Sequence, residues 1–98
     1  MGSLIYDKSA AVDVDDRRLA HLQIVILTKV RRSESFALEI DDGDRLGTFW
    51  ISEHTPLEFR YVGNRQPIIN HLWLEELAAE AGLHGVLRIT PEPPIPDA

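Results

Sequence analysis

The stretch Ser35–Val62 reads SFALEIDDGDRLGTFWISEHTPLEFRYV, and its reading decides the fold. Phe36, Leu38 and Ile40 alternate with Ala37, Glu39 and Asp41, a period of two that gives a strand one apolar face. Asp41-Asp42-Gly43-Asp44 then supplies turn chemistry. Thr48 to Ser52 forms the next strand, with Phe49 and Ile51 on one side and Trp50 on the other. Thr55-Pro56 makes the second connection. Leu57, Phe59 and Tyr61 alternate with Glu58, Arg60 and Val62 until Gly63-Asn64 ends the third strand. The pattern predicts a three-stranded antiparallel meander.

Upstream, Leu4-Ile5-Tyr6 and Ala11-Val12-Asp13-Val14 read as a hairpin around Asp7-Lys8-Ser9. Asp15 or Asp16 offers a helix N-cap, with acidic charge at the positive end of the helix dipole. A helix is expected from Asp16 to Arg32, with Arg31 and Arg32 at its C-terminal end. Leu19, Leu22, Ile26 and Val30 make its core stripe, flanked by Val25 and Leu27. The run Ile24-Val25-Ile26-Leu27 has strand character, but the helical spacing and the charged ends favour the helix.

Downstream, Pro67 suits the first turn of a second helix, where its missing N–H costs nothing. Ile69, Trp73, Leu77 and Ala81 step by four along one face, and Ile68 and Leu72 lie nearly opposite. Gly82 is placed as the C-terminal cap, and Val86 to Thr90 as a last strand. The order is β-β-α-β-β-β-α-β: an α+β domain over residues 1–90, an antiparallel meander sheet packed by two helices. The tail, residues 91–98, carries four prolines, which forbid helix and central strand. It is expected to be extended and frayed, with docking on an aromatic groove as the lesser alternative.

The 98 residues suit one domain. There are no cysteines, which removes disulfides and thiolate chemistry and fits a reducing compartment. No apolar run is long enough for a membrane span, and the N-terminus lacks a charged region followed by an apolar stretch. A cytoplasmic protein is expected. The formal charge of −6 argues against a surface that tracks a phosphate backbone throughout. The charge is unevenly spread, however. Arg17, Arg18, Lys29, Arg31 and Arg32 face only Glu34 within residues 17–34, whereas acidic residues dominate 35–59.

No motif nominates a catalytic residue, a cofactor or a metal. His21, His54, His71 and His84 lack the spacing of paired zinc ligands and read as partly exposed packing or polar residues. The Asp41–Asp44 cluster lacks the ligand spacing of a calcium loop. There is no Gly-x-Ser-x-Gly elbow and no glycine-rich phosphate loop. The one surface that stands out is on the first helix. Arg17, His21, Ile24, Thr28 and Arg31 recur opposite the core stripe, with Arg32 beside them. A plain solvated face needs no Ile24.

The segments Asp15-Asp16-Arg17-Arg18-Leu19-Ala20-His21-Leu22-Gln23, Arg31-Arg32-Ser33-Glu34-Ser35-Phe36, Pro56-Leu57-Glu58-Phe59-Arg60-Tyr61 and Pro67-Ile68-Ile69-Asn70 before Trp73 carry a resemblance over nearly the whole chain. It resembles an otherwise uncharacterised actinobacterial family of chains about this short. Its members often carry the automatic label "ATP-dependent DNA ligase". Such a ligase takes up AMP on the lysine of a Lys-x-Asp-Gly motif. The two lysines here open Lys8-Ser9-Ala10-Ala11 and Lys29-Val30-Arg31-Arg32, and neither matches. Ligase activity is therefore not expected.

Two functions follow as expectations. The first is a non-catalytic interaction module that self-associates, as a homodimer through the first helix or an edge strand, or that binds another protein. The alternative is a nucleic-acid accessory protein, since the core order α-β-β-β-α is that of double-stranded-RNA-binding domains. Its contacts would come from Arg17, Arg18, His21, Lys29, Arg31 and Arg32. Against it, the second helix carries Glu75, Glu76 and Glu80.

Overall fold

A two-stranded hairpin cannot hide an apolar face by itself. The way this chain covers its N-terminal hairpin sets the architecture. The computed structural model describes residues 2–41, 44–65 and 67–95. The elements run β1 (Gly2–Tyr6), β2 (Ala10–Val14), α1 (Asp16–Arg31), β3 (Phe36–Asp41), β4 (Leu46–Ile51), β5 (Leu57–Arg60), α2 (His71–His84) and β6 (Val86–Arg88). The α+β class and the element order are those read from the sequence.

β1 and β2 pair antiparallel, Leu4 opposite Val12, and Asp7 and Lys8 close the hairpin with φ of 50° and 61°. That mirror-image turn matches the twist of the strands it joins. β3 and β4 likewise pair antiparallel, Leu38 opposite Phe49. The Asp41–Asp44 turn between them lies partly outside the described residues.

The expected meander needs one correction. β5 does not continue from β4 but joins the other sheet, so the orders are β2-β1-β5 and β4-β3-β6. Thr55 closes a turn on Ser52: its backbone N–H donates to the Ser52 carbonyl (3.1 Å) and its hydroxyl oxygen accepts from the Ser52 N–H (3.0 Å). The Pro56 carbonyl then accepts from the Asp7 N–H (2.8 Å), which brings the chain alongside β1. Phe59 now lies opposite Leu4, and the hairpin gains the third strand it lacked. On the second sheet β6 runs parallel to β3, Leu87 beside Leu38.

Both helices pack on these sheets. Leu19, Leu22, Val25 and Ile26 of α1 are buried, whereas Val30 is half-buried and Leu27 faces solvent. Asp15 caps α1 by accepting from the Arg18 N–H (3.1 Å). At the other end Glu34 N–H reaches the Lys29 carbonyl and Ser33 N–H the Val30 carbonyl, with Ser33 left-handed at φ 58°. This closed arrangement uses carbonyls that the helix end would otherwise leave unpaired.

α2 buries Trp73, Leu77 and Ala81 as expected, but both its ends lie further along. Asn70, not Pro67, begins it: the Asn70 side chain accepts from the Trp73 N–H, and Pro67 and Ile69 precede the helix. Gly85, not Gly82, ends it. The chain must reverse into β6, and Gly85 supplies a φ of 68° while its N–H meets the Ala81 carbonyl (2.9 Å).

Candidate functional site

The six residues singled out on the first helix separate into two groups. Arg17 and His21 turn into the protein, whereas Ile24, Thr28, Arg31 and Arg32 stay at its surface. The chain from Pro67 to Asn70 meets the first group, through the Ile68 carbonyl on Arg17 and the Asn70 N–H on His21.

His21 was expected to be partly exposed, and it is fully buried. Its Nε2 receives the backbone N–H of Asn70 (2.9 Å), and its Nδ1 lies 2.7 Å from the Arg17 carbonyl. An amide N–H can only donate and a carbonyl can only accept, so the ring is neutral with its proton on Nδ1. The ring also packs on Trp73, with centroids 4.5 Å apart. Buried polar groups are held where their hydrogen bonds are met, and both nitrogens here are met. His21 thus ties the N-terminal half of α1 to the start of α2.

Arg17 clasps the proline-rich tail. Its guanidinium grips the Glu92 carboxylate with Nε (2.6 Å) and Nη2, while Nη1 donates to the Ile68 carbonyl (2.7 Å). Asn70 Nδ2 donates to Glu92 (3.0 Å) and to the Pro93 carbonyl (2.8 Å). Trp73 Nε1 donates to the Thr90 carbonyl (3.1 Å). The guanidinium, and then the Asn70 amide, hold the Glu92 carboxyl down to about 2. The expected frayed tail is therefore corrected for residues 91–93, which are bound to the domain through Glu92 and Pro93; residues 96–98 lie outside the described residues.

Sequence reading missed Asn70, Trp73 and Glu92 as a set. Two signals were available: Asn directly before an apolar helical run is a preferred cap, and Glu92 is the one charge among the first prolines of the tail. Nothing in the sequence brings them together, because they meet only after two helices and a strand have packed.

The outward half of α1 has a different character. Ile24 is 39% exposed and Leu27 41%, and Arg31 beyond them has no ion-pair partner among the described residues. Thr28 returns its hydroxyl to the Ile24 carbonyl (2.8 Å), and Arg32 stands 3.9 Å from Glu34. Ile24 is a ridge between two hollows. One, of about 230 Å³, lies against Tyr61, Asn64, Arg65 and Pro67. There Tyr61 donates to Gln23 (2.5 Å), and burial raises the Tyr61 pKa. The other, about 300 Å³, lies between the helices against Leu74, Ala78 and Gly82. Around the flank, α2 presents Leu72, Ala79 and Leu83 at i, i+7 and i+11, with Glu75 and Glu76 between them. Leu83 is 78% exposed. Neither glutamate has a partner among the described residues.

The remaining candidates are dispersed. His54 is near Glu53 (3.6 Å), His84 near Glu80 (3.7 Å), and His71 is exposed. Among the described residues no three His, Asp or Glu side chains are grouped to hold a metal ion. Lys8 sits in the first hairpin turn, and Lys29 pairs with Glu34 (3.4 Å) over the Phe36 ring. No helix is long and apolar enough to cross a membrane among the described residues.

Comparison with known proteins gives a family without an assigned role. The model of the family described as "Domain of unknown function (DUF7882)" matches residues 1–92, and the chain belongs to that family. The match ends on Glu92, the residue that closes the clasp. No curated protein and no solved structure matches the chain.

Proposed function

We propose that this member of the DUF7882 family is an interaction module that self-associates through the outward faces of its two helices, α1 of each copy meeting α2 of the other. One observation carries the reading. Exposed apolar residues, Ile24 and Leu27 on α1 and Leu72 and Leu83 on α2, are flanked by unpaired charges of opposite sign. Arg31 marks the first face, Glu75 and Glu76 the second. Apolar residues supply the attraction, and complementary charge selects the pairing and its register. A two-fold dimer would form the same α1–α2 contact twice, once on each side of its axis.

The nucleic-acid alternative draws less support from the same residues. Its six contacts lose Arg17 to Glu92 and His21 to the interior, and Lys29 is paired with Glu34.

Sedimentation at micromolar concentration tests the proposal. The expected mass is twice the 11.1 kDa of one chain. Arg31→Glu should give monomer, as should Glu75→Lys with Glu76→Lys, and the triple variant should recover the dimer. A wild-type monomer, or a dimer indifferent to both reversals, would overturn it.

A further inference from the structure

The clasp around Glu92 has the construction of a receptor rather than of mutual packing. Each of its three reading side chains is held by something other than the tail. Arg17 is steadied by the Ile68 carbonyl, Asn70 by the Trp73 N–H on its Oδ1, and Trp73 by its buried, tilted packing on the His21 ring. A site preorganised in this way loses little conformational freedom when an occupant arrives.

The tail, by contrast, is held only at its polar anchors. It follows β6 without pairing in either sheet, and Pro91, Pro94 and Ile95 stay exposed. Its polar anchors are one carboxylate and two backbone carbonyls. Those carbonyls belong to Thr90 and Pro93, three residues apart. Three residues is the repeat of a polyproline helix, whose carbonyls at that spacing face one side, and here both carbonyls face α2. The residues that read them, Asn70 and Trp73, are also three apart, on the first turn of α2. The indole and amide N–H groups read backbone that any extended proline-rich segment offers, as in other polyproline grooves. The Arg17 fork adds selection for a carboxylate placed between the two carbonyls.

We propose that Arg17, Asn70 and Trp73 form a recognition site for an extended, proline-flanked acidic segment of a partner protein, occupied in the isolated chain by its own Pro91-Glu92-Pro93. Occupation in cis makes the site gated. A covalently tethered segment acts at an effective concentration on the order of millimolar, so a partner must offer several such contacts or act where the tail is displaced.

The probe is the synthetic peptide Ile-Thr-Pro-Glu-Pro-Pro-Ile, copied from residues 89–95, added to the full chain carrying Glu92→Ala. The readout is the Trp73 indole N–H resonance. In the variant it should move from its wild-type position and return, saturably, as peptide is added. The same peptide with Gln for Glu should bind at least about tenfold more weakly, having lost the charge-assisted fork. Wild-type chain should need at least about tenfold more peptide, because its tail competes. Glu92→Gln, which keeps the side-chain volume, takes the place of Glu92→Ala should that variant not fold. An indole signal unmoved by millimolar peptide, or equal binding of the Glu and Gln peptides, would overturn the proposal.

Discussion

Replacing His21 by Phe isolates the junction on which the helix pair depends. The ring volume and the packing on Trp73 are retained, so little cavity is created. What disappears is the Nδ1 donation to the Arg17 carbonyl and, at greater cost, the acceptor for the Asn70 N–H, which is left in the interior with nothing to bind. An orphaned buried donor costs about 1–3 kcal/mol, and added apolar burial offsets part of it, so the expected loss is about 2 kcal/mol. His21→Ala removes the same acceptor and also opens a cavity, which puts its loss at about 3–5 kcal/mol. The difference between the two variants separates the hydrogen bond from the volume. Urea unfolding followed by circular dichroism measures both. With a slope of roughly 1–2 kcal/mol/M, the Phe variant should lower the midpoint by about 1–2 M at an unchanged slope. Protein concentration must be held constant, because self-association would itself add stability. A His21→Phe chain within about 0.5 kcal/mol of wild type would refute the reasoning, since the Asn70 bond would then contribute nothing net.

Gly2→Ala should destabilise the first sheet, because a Cβ there would stand 2.5 Å from the Arg60 carbonyl and 2.7 Å from Asp16 Oδ1, and backbone cannot yield cheaply. Fraying of the terminal rungs limits the loss to about 1–3 kcal/mol, and amide exchange at Leu4 should quicken while that at Leu38 does not. Acid should release the tail before it unfolds the domain. The folded-state value of Glu92 lies below that of a free glutamate, so the clasp contributes fully above about pH 4.5 and is lost as pH falls towards about 2. Titrating the Trp73 indole resonance reads this directly, and Glu92→Gln should flatten the transition.

Local features of this fold were legible in the sequence wherever one element's own chemistry decides them. Phe36, Leu38 and Ile40 had to share a face whatever they packed against, and Asp15 had to cap whatever helix followed it. Pairing was not legible. Leu57 and Phe59 alternate equally well beside β4 or beside β1, and the choice rests on the Pro56–Asp7 contact and on the hairpin's need for a third strand. Gly82 and Gly85 were both suitable caps. The position of β6 beside β3 selects the later one, and that position is a property of the assembled sheet.

The basic stripe on α1 fails as a single surface for a reason that lies in its length. Helical periodicity places Arg17, His21, Ile24, Thr28 and Arg31 on one face, but a face is not a common environment. The chain from Pro67 to Asn70 makes its hydrogen bonds to Arg17 and His21, on the first turns. Under it, Arg17 and His21 find a carboxylate and a backbone amide, and their polarity is consumed inside the molecule. Beyond it, Ile24 is 39% exposed and Arg31 has no ion-pair partner among the described residues. One stripe therefore yields two sites with opposite needs: a polar, preorganised clasp that already holds an occupant, and a partly apolar ridge that lacks one. Substitutions in the first should act on the tail and on stability. Those in the second should act on assembly and leave stability of the single chain nearly unchanged. Arg17→Ala and Arg31→Glu, similar in sequence terms, are thus expected to have separable effects, and measuring mass and unfolding for both distinguishes this division from one continuous binding face.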